Sequence, residues 1–221
     1  MSTAAASAST SSGTRAPRRD KRRVILDAAA PVFGEVGYER ASIDAIASAA
    51  GVSKPTVYSH FGSKEQLFRD SVADSARNLN VDALAATQGL DIRPRHWRTS
   101  LYQAALKLAA CQRSECAASL NRLINAEVLR DPEVFRSVRE AAAEPMFDSL
   151  AGRLAMLGNA GVLDVPDPVL AANQFFALFQ TEWPDLTSLG TVDVSDAAVR
   201  KVVHAGVDTF LRAYERIQNA D

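Results

Sequence analysis

This sequence predicts an all-α fold, and three observations support that. Stretches rich in Ala, Leu and Arg dominate the chain, apolar residues recur every three or four positions, and no segment alternates apolar and polar residues as a half-buried strand would. The 221 residues are 47% hydrophobic and 23% charged, enough apolar material for one large domain or a small one joined to a larger one. No apolar stretch approaches the roughly 18 residues of a membrane-spanning helix, and the N-terminus lacks the apolar core of a signal peptide. Two cysteines, Cys111 and Cys116, do not make a disulfide framework. A reducing cytoplasm and no membrane partner are the expectation.

Residues 1–14 are mostly Ser, Ala, Thr and Gly without periodicity, as in a disordered tail. A helical pattern runs over 20–36, with Ile25, Ala29, Val32, Phe33 and Val36 on one stripe and Gly37 as its stop. Pro31 inside it removes a hydrogen bond and predicts a kink. A second short helix starts after Ser42 as N-cap and carries Ile43, Ile46 and Ala47. Gly51 ends it, because a tight turn there asks for a residue tolerant of positive φ. Ser53 caps a third helix, with Pro55 in its first turn, where the missing N–H does no harm. Phe61-Gly62-Ser63 closes it, and Ser63 caps a fourth through Leu67 and Phe68. Longer helices follow near 95–111, 115–130, 132–157, 167–183 and 195–217, divided at Asp131-Pro132, 158–167 and 184–195. Glu144-Pro145 interrupts the third of these and is expected to bend it.

The net charge of −1 is unevenly spread. Arg15, Arg18, Arg19, Lys21, Arg22 and Arg23 face a single acid, Asp20. Over 15–68 there are nine basic and six acidic residues, and over 69–221 sixteen against twenty. A basic front and an acidic body suggest that only the front meets a polyanion, a solubilising basic tail being the alternative.

Two short helices joined at Gly51, the second opening with Ser53-Lys54-Pro55-Thr56, form a helix-turn-helix. The second helix of such a pair enters the major groove of double-stranded DNA, where its first residues reach base edges. Lys54 can bond guanine acceptors or phosphate, and Thr56 offers a hydroxyl and a methyl. Tyr58 and His60 have the reach for phosphate oxygens. Lys64 follows Ser63 at a helix N-terminus, a natural phosphate site. Arg18 and Arg22 belong to the basic run that adds salt-sensitive, sequence-independent attraction. Duller roles compete: Tyr58 packed between helices, His60 on the bare surface, Ser42 and Ser53 as caps, Lys54 and Lys64 as solvated charges.

The run GYERASIDAIASAAGVSKPTVYSHFGSKEQL within 22–67 resembles the DNA-binding domain of the TetR family of transcriptional regulators. The carriers are Gly-Tyr, Ile-x-x-Ile-Ala, Gly-Val-Ser, Thr-Val-Tyr-x-His-Phe and Ser-Lys-Glu-x-Leu at fixed spacing, over about the first third of the chain. The resemblance implies that Ser42, Ser53, Lys54, Thr56, Tyr58, His60 and Lys64 face DNA. It also implies a homodimer on a palindromic operator, most simply a repressor, released by a small hydrophobic effector held among the C-terminal helices. The segment from Trp97 to Phe179 resembles, more loosely, the C-terminal domain of an AefR-like subgroup. The resulting division is a tail (1–14), a three-helix helix-turn-helix domain (15–68), and a larger helical domain for effector binding and dimerisation (69–221).

Within the larger domain, Asn121 and Asn125 stand at i and i+4 and share a face, and a paired amide face in an apolar region needs partners. Trp97, Tyr102, Met146, Asn173, Phe176 and Trp183 are candidate walls of a mostly apolar cavity, with plain core packing or solvent exposure as the alternative for each. Over 195–217, the residues Val199, Val202, Gly206, Phe210, Ala213 and Ile217 form a stripe that predicts a dimer face, with Gly206 allowing close approach; intramolecular core is the alternative.

An enzyme is disfavoured. His60, His96 and His204 are scattered, no cluster has metal-ligand spacing, and neither a phosphate loop nor a nucleophile elbow appears, so no metal or cofactor is expected. A redox-responsive regulator using Cys111 and Cys116 is one alternative. An all-α interaction protein without DNA binding is another.

Overall fold

The computed structural model describes residues 20–188 and 191–216, without the side chains of Glu115 and Cys116. Arg18, Ile217, the tail 1–14 and the Cys116 thiol lie outside the described residues. The helices are α1 (Lys21–Arg40), α2 (Ile43–Ala50), α3 (Lys54–Phe61), α4 (Lys64–Leu79), α5 (Val81–Gln88), α6 (Trp97–Gln112), α7 (Glu115–Glu127), α8 (Glu133–Val138), α9 (Glu144–Asn159), α10 (Pro168–Gln180), α11 (Trp183–Leu186) and α12 (Asp196–Tyr214). Among the described residues the β pairing is limited to an isolated antiparallel bridge, Leu163 to Glu215. No described helix is long and apolar enough to cross a membrane.

Helices α2 to α4 start where their caps dictate. The hydroxyls of Ser42, Ser53 and Ser63 accept from the backbone N–H of Ala45, Thr56 and Gln66 at 3.1, 3.3 and 3.1 Å. Each such cap stabilises its helix by about 1 kcal/mol. Gly51 sits at φ 64° in the left-handed region, and this sharp turn sets α3 across α2. The inward stripe of α1 (Ile25, Ala29 and Phe33) meets Ile46, Val57, Phe61, Leu67 and Phe68 in one buried cluster. The rings of Phe33 and Phe68 pack edge-on at 4.9 Å. Backbone angles stay helical through Pro31; the break in α1 falls at Gly37, φ 76°. The kink expected at Pro31 is therefore absent from the dihedrals, since the freed carbonyl and the ring lie on the exposed side of the helix.

The larger body packs α10 between α9 and α12, with α5 on α6 and α9, and α12 on α6. Its core includes Leu101, Leu108, Leu150, Leu154, Phe175, Phe179 and Phe210. The segment read as one helix over 132–157 is divided. A π-helical turn, Arg139–Ala143, joins α8 to α9, and Glu144 N–H donates to Arg139 five residues back. Pro145, which has no N–H to give, then enters the first turn of α9. Two further helices, α5 and α11, occupy stretches that the sequence reading left as connections.

Candidate nucleic-acid interface

Val57 and Phe61 bury one side of α3 and so fix which side is free. On that free side Lys54, Ser59 and His60 are exposed, Tyr58 is 41% exposed, and Thr56 is half-buried at the rim. Tyr58 is thus not packed between helices. Ser53 and Thr56 share a 2.8 Å hydroxyl hydrogen bond, and Ser59 Oγ donates to Thr56 O at 2.8 Å, so the first turn is rigid. Lys54 Nζ donates to Asp44 Oδ2 at 2.9 Å, and this contact holds the ammonium pKa above its ordinary value.

Two expected DNA-facing cations are engaged within the fold. Lys64 Nζ lies 4.4 Å from the Tyr38 ring centroid and donates to Glu39 O at 3.3 Å. Arg22 pairs with Asp70 at 2.5 Å and its guanidinium sits 5.0 Å from the Phe61 ring, clamping α1 to α4. Sequence reasoning missed the acids that hold Lys54 and Arg22. Asp44 was detectable as an acid in the first turn of α2, ten residues before Lys54, whereas Asp70 is 48 residues from Arg22 and gives no local signal.

The predicted effector pocket is only partly assembled. Trp97, Met146, Phe176 and Trp183 are all buried in one core cluster. Asn121 and Asn125 do share a face, but it is the exposed one, because α7 turns Leu120, Leu123, Ile124 and Glu127 inward. Asn173 is also exposed and its side chain turns back on its own helix, donating to Val169 O four residues earlier at 2.8 Å. Tyr102 is half-buried: its hydroxyl donates to Asp208, its ring lies 4.9 Å from His204, and burial with the Asp208 bond pushes its pKa up to about 12. Trp183 keeps a buried indole N–H without a hydrogen-bond partner among the described residues. Two open grooves, of about 860 and 570 Å³, touch this predicted set only at Trp97: one lies against Trp97 and Leu211, the other against Asp82 and Cys111. Burial, with Asp82 nearby, raises the Cys111 thiol pKa, which opposes thiolate chemistry there.

The predicted dimer stripe is core instead. Val199, Val202, Gly206 and Phe210 are buried within the chain. A Cβ on Gly206 would lie 2.8 Å from Leu178 O, so the close approach that the glycine permits is between α12 and α10 of one chain. Ala213 is exposed, as are Ala205 and Thr209 beside it on α12, and α10 exposes Val169, Leu170 and Leu178.

Two family models match the chain: bacterial regulatory proteins of the tetR family over residues 25–70, and the C-terminal domain of AefR-like transcriptional repressors over 99–216. A TetR-family transcriptional regulator from Mesorhizobium loti MAFF303099 is 32% identical with a TM-score of 0.77, covering 89% of this chain and 97% of that one. The flavonoid-responsive regulator FrrA is also 32% identical, with a TM-score of 0.75, covering 90% and 98%. The transcriptional activator FasR of Mycolicibacterium smegmatis is 50% identical over 56 residues, 25% of this chain and 26% of FasR. The chain thus spans about a quarter of the length of the first curated relatives it matches. These proteins are regulators of transcription, not enzymes. A repressor-type C-terminal domain matched over more than half the chain, behind a matching helix-turn-helix, establishes that this chain belongs to the TetR family of bacterial regulatory proteins.

Proposed function

We propose that this protein is a homodimeric repressor that reads a palindromic operator with two copies of α3 and is released by a small hydrophobic effector. The observation that carries the reading is α3 itself, a capped helix with an exposed face of Lys54, Tyr58, Ser59 and His60 and with Thr56 at its edge. Ser42 and Ser53 add hydroxyls at neighbouring helix N-termini, where phosphates bind. Arg18, in the basic run before α1, supplies salt-sensitive attraction. The test is affinity for a duplex selected from random sequence, compared with unselected duplex. Lys54→Ala and Thr56→Ala should weaken selected binding about five- to a hundredfold and narrow the gap between the two duplexes. Variants that keep the parent's discrimination would remove α3 as the reader.

Two copies meet, in this reading, through the exposed sides of α10 and α12, which carry Val169, Leu170 and Leu178 on the one and Ala205, Thr209 and Ala213 on the other. A two-fold pairing of that kind matches the two-fold symmetry of an operator. The effector would open its site against Phe147, Phe176 and Phe179, which form one aromatic group, with Trp183 of the same core cluster offering its N–H as the polar handle. FrrA is flavonoid-responsive, and an aromatic effector carrying a carbonyl or hydroxyl acceptor fits the same surroundings here.

A further inference from the structure

The turn between α7 and α8 belongs by sequence to the larger body, yet it is bonded into the DNA-binding domain, whose family match runs to residue 70. Ile124 before it and Val134 after it are buried in the same cluster as Ile25, Phe33 and Leu67. Between them, two successive residues make polar attachments at separate points. The Arg130 guanidinium lies 3.8 Å from the centroid of the Tyr38 ring, at the end of α1, and reaches Glu39 at 3.4 Å. Asp131, whose side chain is 12% exposed, accepts from Arg69 Nε of α4 at 2.7 Å. Glu127 holds the Arg130 Nε at 3.0 Å, and Glu133 N–H donates to Asp131, so both side chains are oriented from their own turn. Tyr38 is fixed in turn: it is buried, packs edge-on against Phe68 at 5.1 Å, and donates its hydroxyl to Glu65 at 2.7 Å.

One attachment leaves a rigid domain free to swivel, whereas two at different places remove the swivel. A planar guanidinium on a ring adds a preferred plane, which an ammonium on a flexible stem does not. From this geometry we infer that Arg130 is a specificity-determining residue. Together with the Asp131–Arg69 pair it fixes the angle of each DNA-reading head on its body, and thereby the half-site spacing that the dimer accepts. The inference rests on the two-headed reading proposed above. Heads on a stiff joint present their α3 helices at one separation, and a shifted half-site is displaced and rotated around the duplex, out of reach of one of them.

The experiment uses full-length protein and a duplex selected by the parent from random sequence, remade with one base pair added to or removed from its centre. The parent should lose roughly tenfold or more in affinity on respacing. Arg130→Gln should lose less than about threefold relative to its own affinity for the selected duplex, while Tyr38→Phe, which keeps the ring, should behave like the parent. Arg130→Lys keeps the charge and should also relax the spacing, and it serves if the Gln variant does not fold. A merely structural role would lower affinity for all spacings alike. That outcome, or unchanged discrimination in both Arg130 variants, overturns the inference. A parent indifferent to spacing overturns it as well, by removing the two-headed reading on which it rests.

Discussion

Lys54 Nζ lies 2.9 Å from Asp44 Oδ2, so the first turn of α3 is tied by charge to the first turn of α2. Both side chains are well exposed, and an exposed pair of this kind exchanges readily with solvent ions. In the proposed DNA-reading role, a phosphate or a guanine edge would compete with Asp44 for the same ammonium, and the pair would set a modest electrostatic cost on its transfer.

Asp44→Ala should release Lys54 and remove a negative charge from beside the backbone of bound DNA. Affinity for any duplex should rise by about two- to tenfold at low salt, and the gain should shrink as salt increases. Fluorescence anisotropy at two salt concentrations checks it. A fall in affinity, confined to the selected duplex, would show instead that Asp44 aims Lys54 at a base.

The proposed dimer face and the core face between α10 and α12 separate by substitution. Gly206→Val sets a branched side chain where even a Cβ would lie 2.8 Å from Leu178 O, and it should lower stability by about 1–3 kcal/mol as overpacking does. Leu178→Glu changes a partly exposed position on α10 and should leave the fold intact while shifting sedimentation from dimer to monomer. Folded dimer in the Leu178→Glu variant at micromolar concentration would place the interface elsewhere.

Local signals made the DNA-binding end legible. Ser42, Gly51, Ser53 and Ser63 each act on backbone within three residues of themselves, and that is the range over which a sequence can be read directly. The body was legible only as helices. Val199, Val202, Gly206 and Phe210 do form a stripe, but periodicity tells that a face is buried and not whether the same chain or another copy buries it. Asn121 and Asn125 share a face as expected, and the choice between inside and outside was made by Ile124, one position away. Arg69 and Asp131, 62 residues apart, meet only because α4 and the α7–α8 turn pack together.

The hydroxyl of Tyr38 bonded to Glu65, followed by backbone and Ser63 contacts, lowers the Glu65 pKa. A carboxyl whose folded pKa lies below its unfolded value stabilises the fold above the unfolded pKa, and that contribution fades as pH falls through the folded value. Melting temperature should therefore decline as pH drops below about 4.5, the ordinary range of a glutamate. Tyr38→Phe removes the leading cause, so its loss of stability relative to the parent should be present at pH 7 and should narrow at pH 3. A difference that is constant over this range would mean that the hydroxyl contributes nothing through Glu65. The effect is small in size because Glu65 is exposed to solvent.

Trp183 provides the test of the effector reading, because its two ends make opposite demands. The indole ring is buried among aromatic and aliphatic neighbours, while its N–H meets no acceptor among the described residues. A buried donor left unpaired costs about 1–3 kcal/mol, a cost that an effector's carbonyl or hydroxyl oxygen would relieve. Trp183→Phe discards the donor and keeps much of the ring. Without effector, the loss of packing and the relief of the unpaired N–H oppose each other, so stability should change by less than about 1 kcal/mol. Truncating a neighbouring apolar ring, as in Phe179→Ala, should cost about 3–5 kcal/mol. With a flavonoid as the probe ligand, the Trp183→Phe variant should bind more weakly by about five- to a hundredfold and should need correspondingly more ligand to leave the selected duplex. Calorimetry on the free protein and ligand titration of the DNA complex read the two halves separately. Unchanged flavonoid release with unchanged stability would exclude Trp183 from the effector site, whereas a large loss of stability without ligand would make the ring a core residue and nothing more.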